Sequence, residues 1–146
     1  KYANRLLCEV KVQENVKVVV IRSTYQIQND TLYPLELTLI DDVGHPVSSL
    51  EKIGPGQSYP LPIEAVTKNR IRLQPDQGFG YKWCTAIRFE DLVAKKSFTI
   101  KCPHSDAKEA AFRFQAWVQT DTKDAIKLVP SFHTKTLSLM SIPFIF

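Results

Sequence analysis

The feature that most constrains this chain is a period of two in its hydrophobic residues, repeated in short runs along its length. Leu35-Glu36-Leu37-Thr38-Leu39, Arg70-Ile71-Arg72-Leu73, Ser97-Phe98-Thr99-Ile100-Lys101-Cys102 and Phe112-Arg113-Phe114-Gln115-Ala116-Trp117-Val118 all alternate apolar with polar positions. Successive side chains of a strand point to opposite faces, so this spacing gives one apolar and one polar face. Ala86-Ile87-Arg88-Phe89 reads as a further run, and Val16-Lys17-Val18-Val19-Val20-Ile21-Arg22 is β-branched almost throughout. Thr24-Tyr25-Gln26-Ile27-Gln28-Asn29 alternates again, with Tyr25 and Ile27 on one face. Between the runs stand Asn29-Asp30-Thr31, Asp41-Asp42-Val43-Gly44-His45-Pro46 and Gly54-Pro55-Gly56, residue types that make tight reversals. Half-buried strands hide their apolar sides by packing two sheets together. The expected fold is all-β, an antiparallel two-sheet β-sandwich of about eight to ten strands.

Helical signals amount to single turns. Residues 63–66 form one, and Asp106 with Glu109 caps another ahead of Ala110-Ala111; neither supplies the crossover helices of an α/β sheet. At 146 residues, with no linker, low-complexity segment or internal repeat, the chain reads as one domain over residues 1–146. Its core is expected from Tyr25, Ile27, Leu35, Leu37, Phe112, Phe114 and Val118, with Trp117 on the opposite face.

The residues that carry enzyme chemistry are present but not assembled. His104-Ser105-Asp106 has triad residue types, yet neighbours on one strand or turn point apart, and no G-x-S-x-G elbow accompanies them. The acidic pairs Asp41-Asp42 and Glu90-Asp91 lie at strand ends, where solvated turn carboxylates belong. Cys102 and His104 are two apart and Cys84 could join them, but zinc wants four ligands and no fourth is at hand, so no metal site is expected. Neither Gly78-Phe79-Gly80 nor Gly54-Pro55-Gly56 has the strand-to-helix context of a phosphate loop. The chain is read as a non-enzyme without cofactors.

Three cysteines, Cys8, Cys84 and Cys102, in a chain of this size read as reduced cytosolic thiols. No apolar run reaches the roughly 18 residues of a spanning helix, and Lys1-Tyr2-Ala3-Asn4 lacks the design of an export signal. The net charge of +4 is scattered in ones and twos, which does not make a nucleic-acid footprint. Asn29-Asp30-Thr31 matches a glycosylation acceptor, but an asparagine ending a strand also serves well by bonding the backbone of the turn that follows, and this structural reading is preferred.

Four segments occur in a recognisable order: Ser23-Thr24-Tyr25-Gln26-Ile27-Gln28-Asn29-Asp30-Thr31-Leu32-Tyr33-Pro34-Leu35-Glu36-Leu37, Ile53-Gly54-Pro55-Gly56-Gln57-Ser58-Tyr59-Pro60-Leu61-Pro62-Ile63, Arg70-Ile71-Arg72-Leu73-Gln74-Pro75 and Gly78-Phe79-Gly80-Tyr81-Lys82-Trp83-Cys84. Together they resemble one repeat of the adaptor-binding, or SHORT-ROOT-binding, region of the chorein-type vacuolar protein sorting proteins, the bridge-like lipid transfer family. The resemblance covers residues 16–146, with residues 141–146 similar to the lead-in to a next repeat.

It implies a β-sandwich repeat within an array, cytoplasmic and peripheral at organelle membranes and contact sites. Its partners would be organelle adaptor proteins carrying P-x-P motifs, together with neighbouring repeats. Asn29 falls on the asparagine that marks the family's repeats. Trp83 and Trp117 are candidates for stacking on a proline, and an extended peptide adding to a sheet edge requires an apolar groove beside an unpaired strand. The alternative function is a basic peripheral membrane or phosphoinositide-binding module, for which Lys68, Arg70, Arg72, Lys95 and Lys96 are the candidate contacts.

Overall fold

In the computed structural model, which describes residues 6–93, 95–121 and 134–141, the alternating runs become strands with one exception. In chain order the elements are β1 (Leu6–Gln13), β2 (Val16–Ser23), β3 (Tyr25–Asn29), β4 (Leu35–Ile40), β5 (Glu51–Ile53), β6 (Ser58–Pro60), helix α1 (Ile63–Thr67), β7 (Arg70–Pro75), helix α2 (Phe89–Val93), β8 (Phe98–Cys102), β9 (Phe112–Asp121) and β10 (Thr134–Ser141). Among the described residues they form a two-stranded ribbon β1-β2, a five-stranded sheet ordered β6-β3-β10-β9-β8 and a three-stranded sheet ordered β5-β4-β7.

The all-β expectation is met, with two refinements. The ribbon stands as a third sheet beside the two that pack together. Within the five-stranded sheet, β10 lies between β3 and β9. It is antiparallel to β9 and therefore parallel to β3, placing Leu137 opposite Ile27 and Leu139 opposite Asn29.

The exception is the run Ala86-Ile87-Arg88-Phe89. Ile87 makes one bridge to Ile71, and at Phe89 the chain turns into α2. The cause is the Phe89 ring, fully buried and edge-on to Tyr25 at 5.1 Å between centroids, which draws the backbone inward after a single rung. Residues 63–66 do form a helical turn, α1, whose Ala65 and Val66 are buried. Around Asp106 the chain makes a turn, Glu109 N–H donating to Asp106 O at 3.0 Å.

Leu35, Leu37, Leu39, Ile71 and Leu73 of the smaller sheet share a core with Ile27, Ile100, Phe114, Leu137 and Leu139 of the larger one. Each such fully buried side chain contributes about 1.5–3 kcal/mol relative to exposure. Tyr25 and Val118 pack against this core half-buried. At one end the rings of Tyr33, Tyr81, Phe112 and Phe114 make a chain of contacts with centroids 4.8–5.6 Å apart. Among the described residues the one buried carboxylate is satisfied: Glu36, 2% exposed, accepts from Gln74 Nε2 at 3.2 Å and Gln77 N at 3.0 Å.

Candidate functional site

Asn29 stands where the chain leaves the five-stranded sheet for the three-stranded one, and its side chain is wholly buried. Its Nδ2 donates to the carbonyls of Tyr33 at 2.8 Å and Ile53 at 2.9 Å. Its Oδ1 accepts from the N–H of Thr31 at 2.9 Å and from the Thr31 hydroxyl at 2.6 Å. On the main chain it donates to Gln57 O at 2.9 Å and accepts from Gly56 N–H at 2.7 Å. Both protons and both lone pairs of the amide are therefore engaged, a set that only a carboxamide offers in one planar group.

The bonded segments are the two crossings between sheets, one from β3 to β4 and one from β5 to β6, so a single amide ties them together. The second crossing is the Gly54-Pro55-Gly56 reversal. Gly56 takes φ +76°, as the residue after proline in a type II turn must, and Gln57 N–H returns to Gly54 O at 3.0 Å. The nitrogen that a glycan would occupy lies inside this knot.

On the opposite side of the sheets, β7 and β8 are edge strands. Residues 84–87 run beside β7: Cys84 N–H donates to Leu73 O at 2.9 Å, and Ile87 exchanges hydrogen bonds with Ile71 at 2.9 and 2.7 Å. Residues 80–82 fasten the chain just beyond β8, Lys82 N–H reaching Pro103 O at 2.7 Å and Ser105 N–H reaching Gly80 O at 2.8 Å. Gly80 is required in this clasp, because φ is +79° and a Cβ would meet His104 Nε2 at 2.9 Å.

Between the two fastenings the outer edge of β8, from Phe98 to Lys101, pairs with no further strand among the described residues and borders a cleft of about 320 Å³. Ala86, Ile87, Leu92, Phe98 and Ile100 make its apolar lining, with the exposed Lys95 and Lys101 beside them. A second cleft of about 570 Å³ is lined by Arg72, Gln74, Gln77, Tyr81, Lys82 and Trp83. The two meet at Cys84 and Thr85, which line both. The surface thus combines a strand edge with open backbone groups, an apolar trough and an indole, the requirements for holding an extended peptide.

Cys84 and Cys102 come together beneath this surface. Leu73 N–H donates to Cys84 Sγ at 3.2 Å, and the Cys102 thiol donates to Leu73 O at 3.3 Å. The contact with Cys84, reinforced by burial, holds the Cys102 thiol well above the ordinary cysteine range, so it stays protonated at neutral pH. His104 is directed elsewhere, edge-on to Tyr81 with centroids 4.9 Å apart, and its Nδ1 accepts the Asp106 N–H at 2.9 Å.

The remaining sequence candidates stand in different settings. Trp83 is half-buried in the larger cleft. Trp117, also half-buried, lies opposite Ser138 on the face of the five-stranded sheet turned away from Phe114, so the indoles are not brought together. Lys68 lies 3.7 Å from Glu64, and Arg70 lies 3.9 Å from Asp42, which also takes Arg88 at 3.2 Å. Arg72 and Lys95 line the two clefts, and Lys96 is exposed ahead of β8. The lead-in expected at residues 141–146 lies, beyond Ser141, outside the described residues.

Sequence reasoning missed the trough residues Ile87, Leu92 and Phe98 and the cations Lys82 and Lys101, since edge status leaves no local signature. Lys95-Lys96 ahead of a short strand, charge at the margin of a sheet, is a signal that could have pointed there.

A family model described as vacuolar-sorting associated protein 13, adaptor binding domain, matches residues 1–142. The chain is also similar to the intermembrane lipid transfer protein VPS13 of Chaetomium thermophilum, 30% identical over 120 residues, which is 81% of this chain and 4% of that protein. The chain spans only that small part of the relative's length. Among the described residues no helix is long and apolar enough to cross a membrane.

Proposed function

We propose, from the premise that this chain belongs to the vacuolar-sorting associated protein 13 adaptor-binding-domain family, that it is a non-catalytic docking unit of a lipid transfer protein. In this reading it engages organelle adaptor proteins through P-x-P segments at membrane contact sites, as one β-sandwich repeat beside others of the same polypeptide. The observation that carries it is the open edge of β8 running along an apolar trough.

The chemistry of such a segment suits that place. Proline is already extended and loses little entropy on binding, and it lacks an N–H, so it occupies positions that face the trough while the residue between prolines supplies the ladder hydrogen bonds. Ile87, Leu92 and Phe98 offer apolar contact to the pyrrolidine rings, and Trp83 next door offers a flat face for stacking.

Titration of the chain with a fluorescent P-x-P peptide tests the reading. Saturable binding is expected, weakened at least about tenfold by Ala86→Glu, which sets a charge in the trough. Equal binding of an A-x-A peptide, or no saturable binding, would reject it.

A further inference from the structure

We propose that the segment held on this surface carries acidic side chains on both sides of its prolines, so that charge helps to select the partner. The inference rests on the docking reading above and deepens it. Arg72 and Lys82 line the Trp83 cleft, Lys95 and Lys101 line the β8 trough, and no carboxylate lines either. Four other cations are neutralised within the chain: Lys52 with Asp76 at 3.1 Å, Lys68 with Glu64 at 3.7 Å, and Arg70 and Arg88 with Asp42 at 3.9 and 3.2 Å. Among the described residues, Arg72, Lys82, Lys95 and Lys101 have no such ion pair. Lys17, Lys96, Lys108 and Arg113 also lack one, but Arg72, Lys82, Lys95 and Lys101 are the four that gather on the clefts beside the β8 edge.

Placement sets the pattern. Lys95 precedes Phe98 and holds its Nζ 5.8 Å from that ring's centroid, while Lys101 closes the other end of the open edge. A strand laid along Phe98–Lys101 advances about 3.3 Å per residue, so the acidic residues bracket an apolar, proline-bearing centre of about four residues. Arg72 and Lys82 then meet whatever continues past Thr85 toward Trp83. Lys95 and Lys101 flank a trough with an apolar lining, a shape that admits a peptide and keeps a planar lipid surface from its floor.

The test is an anisotropy titration of the 146-residue chain with three labelled peptides. One has a P-x-P centre with two Glu on each side, the second has Gln in place of Glu, and the third keeps Glu but has an A-x-A centre. The Glu-flanked proline peptide should bind about tenfold tighter than the Gln form at about 50 mM salt, and the two should converge near 1 M, where charges are screened within about 3 Å. The double variant Lys95→Glu, Lys101→Glu, both at exposed positions, should reverse the order of the two proline peptides while leaving the urea midpoint unchanged.

Equal affinity of the Glu and Gln forms, with the A-x-A peptide silent, overturns acidic selection and leaves the docking reading standing. An A-x-A peptide that binds as tightly as its proline counterpart, or no binding by any peptide, overturns both. Binding to vesicles of about 20% anionic lipid that the double variant abolishes, with no peptide bound, also overturns the inference, in favour of a membrane contact.

Discussion

Strand β4 and the β1-β2 ribbon are made of the same kinds of residue and finish in opposite surroundings. Leu35, Leu37 and Leu39 are 0–2% exposed, whereas Val10, Val12, Val19 and Ile21 are 57–70% exposed. In the ribbon Val10 lies opposite Val19, Cys8 opposite Ile21 and Val12 opposite Lys17, so these side chains share one face as regularly as the leucines of β4 do. The hairpin is well made, with the two-residue reversal Glu14-Asn15 at φ 49° and 64°, the positive values that match the twist of its strands. What differs is company. β4 has β5 and β7 on either side and the five-stranded sheet across from it, while among the described residues the ribbon pairs with no other strand. A two-stranded ribbon is marginal alone in water. Alternation thus states which face seeks burial, and distant pairings decide whether a cover exists.

Substitutions can break this comparison at graded cost. Leu37→Ala should lose about 3–4 kcal/mol in urea unfolding, because the void lies in close-packed core between the sheets. A loss under about 1 kcal/mol would mean that β4 is no better covered than the ribbon. Asn29→Ala follows at about 3 kcal/mol, since it orphans the Tyr33 and Ile53 carbonyls and the Thr31 N–H in a buried place. An unchanged melting temperature would remove Asn29 as the tie between the crossings.

Gly80→Ala should cost about 1–2 kcal/mol, from the positive φ and the displaced His104, and should weaken peptide binding by loosening the clasp beyond β8. The ribbon pair Val10→Thr, Val19→Thr should stay within about 0.5 kcal/mol of the parent while lowering the binding of an apolar dye. A large loss there would show that the ribbon face is covered in solution.

The smallest effect is in acid. Backbone N–H donors, chiefly that of His45 for Asp41 and that of Gly78 for Asp76, hold both carboxyls below the ordinary 3.8. A carboxyl depressed by folding adds stability that is present above the ordinary value and lost as pH falls through the lower folded one. The urea midpoint should therefore drop between about pH 4 and pH 2, and the drop should be shallower in Asp76→Asn, measured in the same buffers.

Much of the candidate site was legible residue by residue and little of it as a site. Asn29 stood out because an asparagine closing a strand ahead of Asp30-Thr31 has a backbone to bond, yet its partners at Ile53 and Gln57 are more than twenty residues away and only the crossings bring them near. The basic residues were visible as a set, but Asp42 and Glu64 occupy Arg70 and Lys68 and leave Arg72, Lys95 and Lys96. Phe98 and Ile100 read as an ordinary strand, since nothing in that stretch records that β8 has a neighbour on one side only.

By itself, then, the sequence determined the all-β class, the turn positions at Gly54-Pro55-Gly56 and Asp41 to His45, and most of the core, because period, φ preference and local hydrogen bonding act over a few residues. Tertiary structure alone decided that β10 lies parallel to β3, that the run ending at Phe89 gives way to α2 and buries that ring, that one face of the ribbon is exposed and that β8 has, among the described residues, a partner on one side only. Each depends on which strands compete for the same edge, and that competition is settled by contacts between residues far apart in the chain.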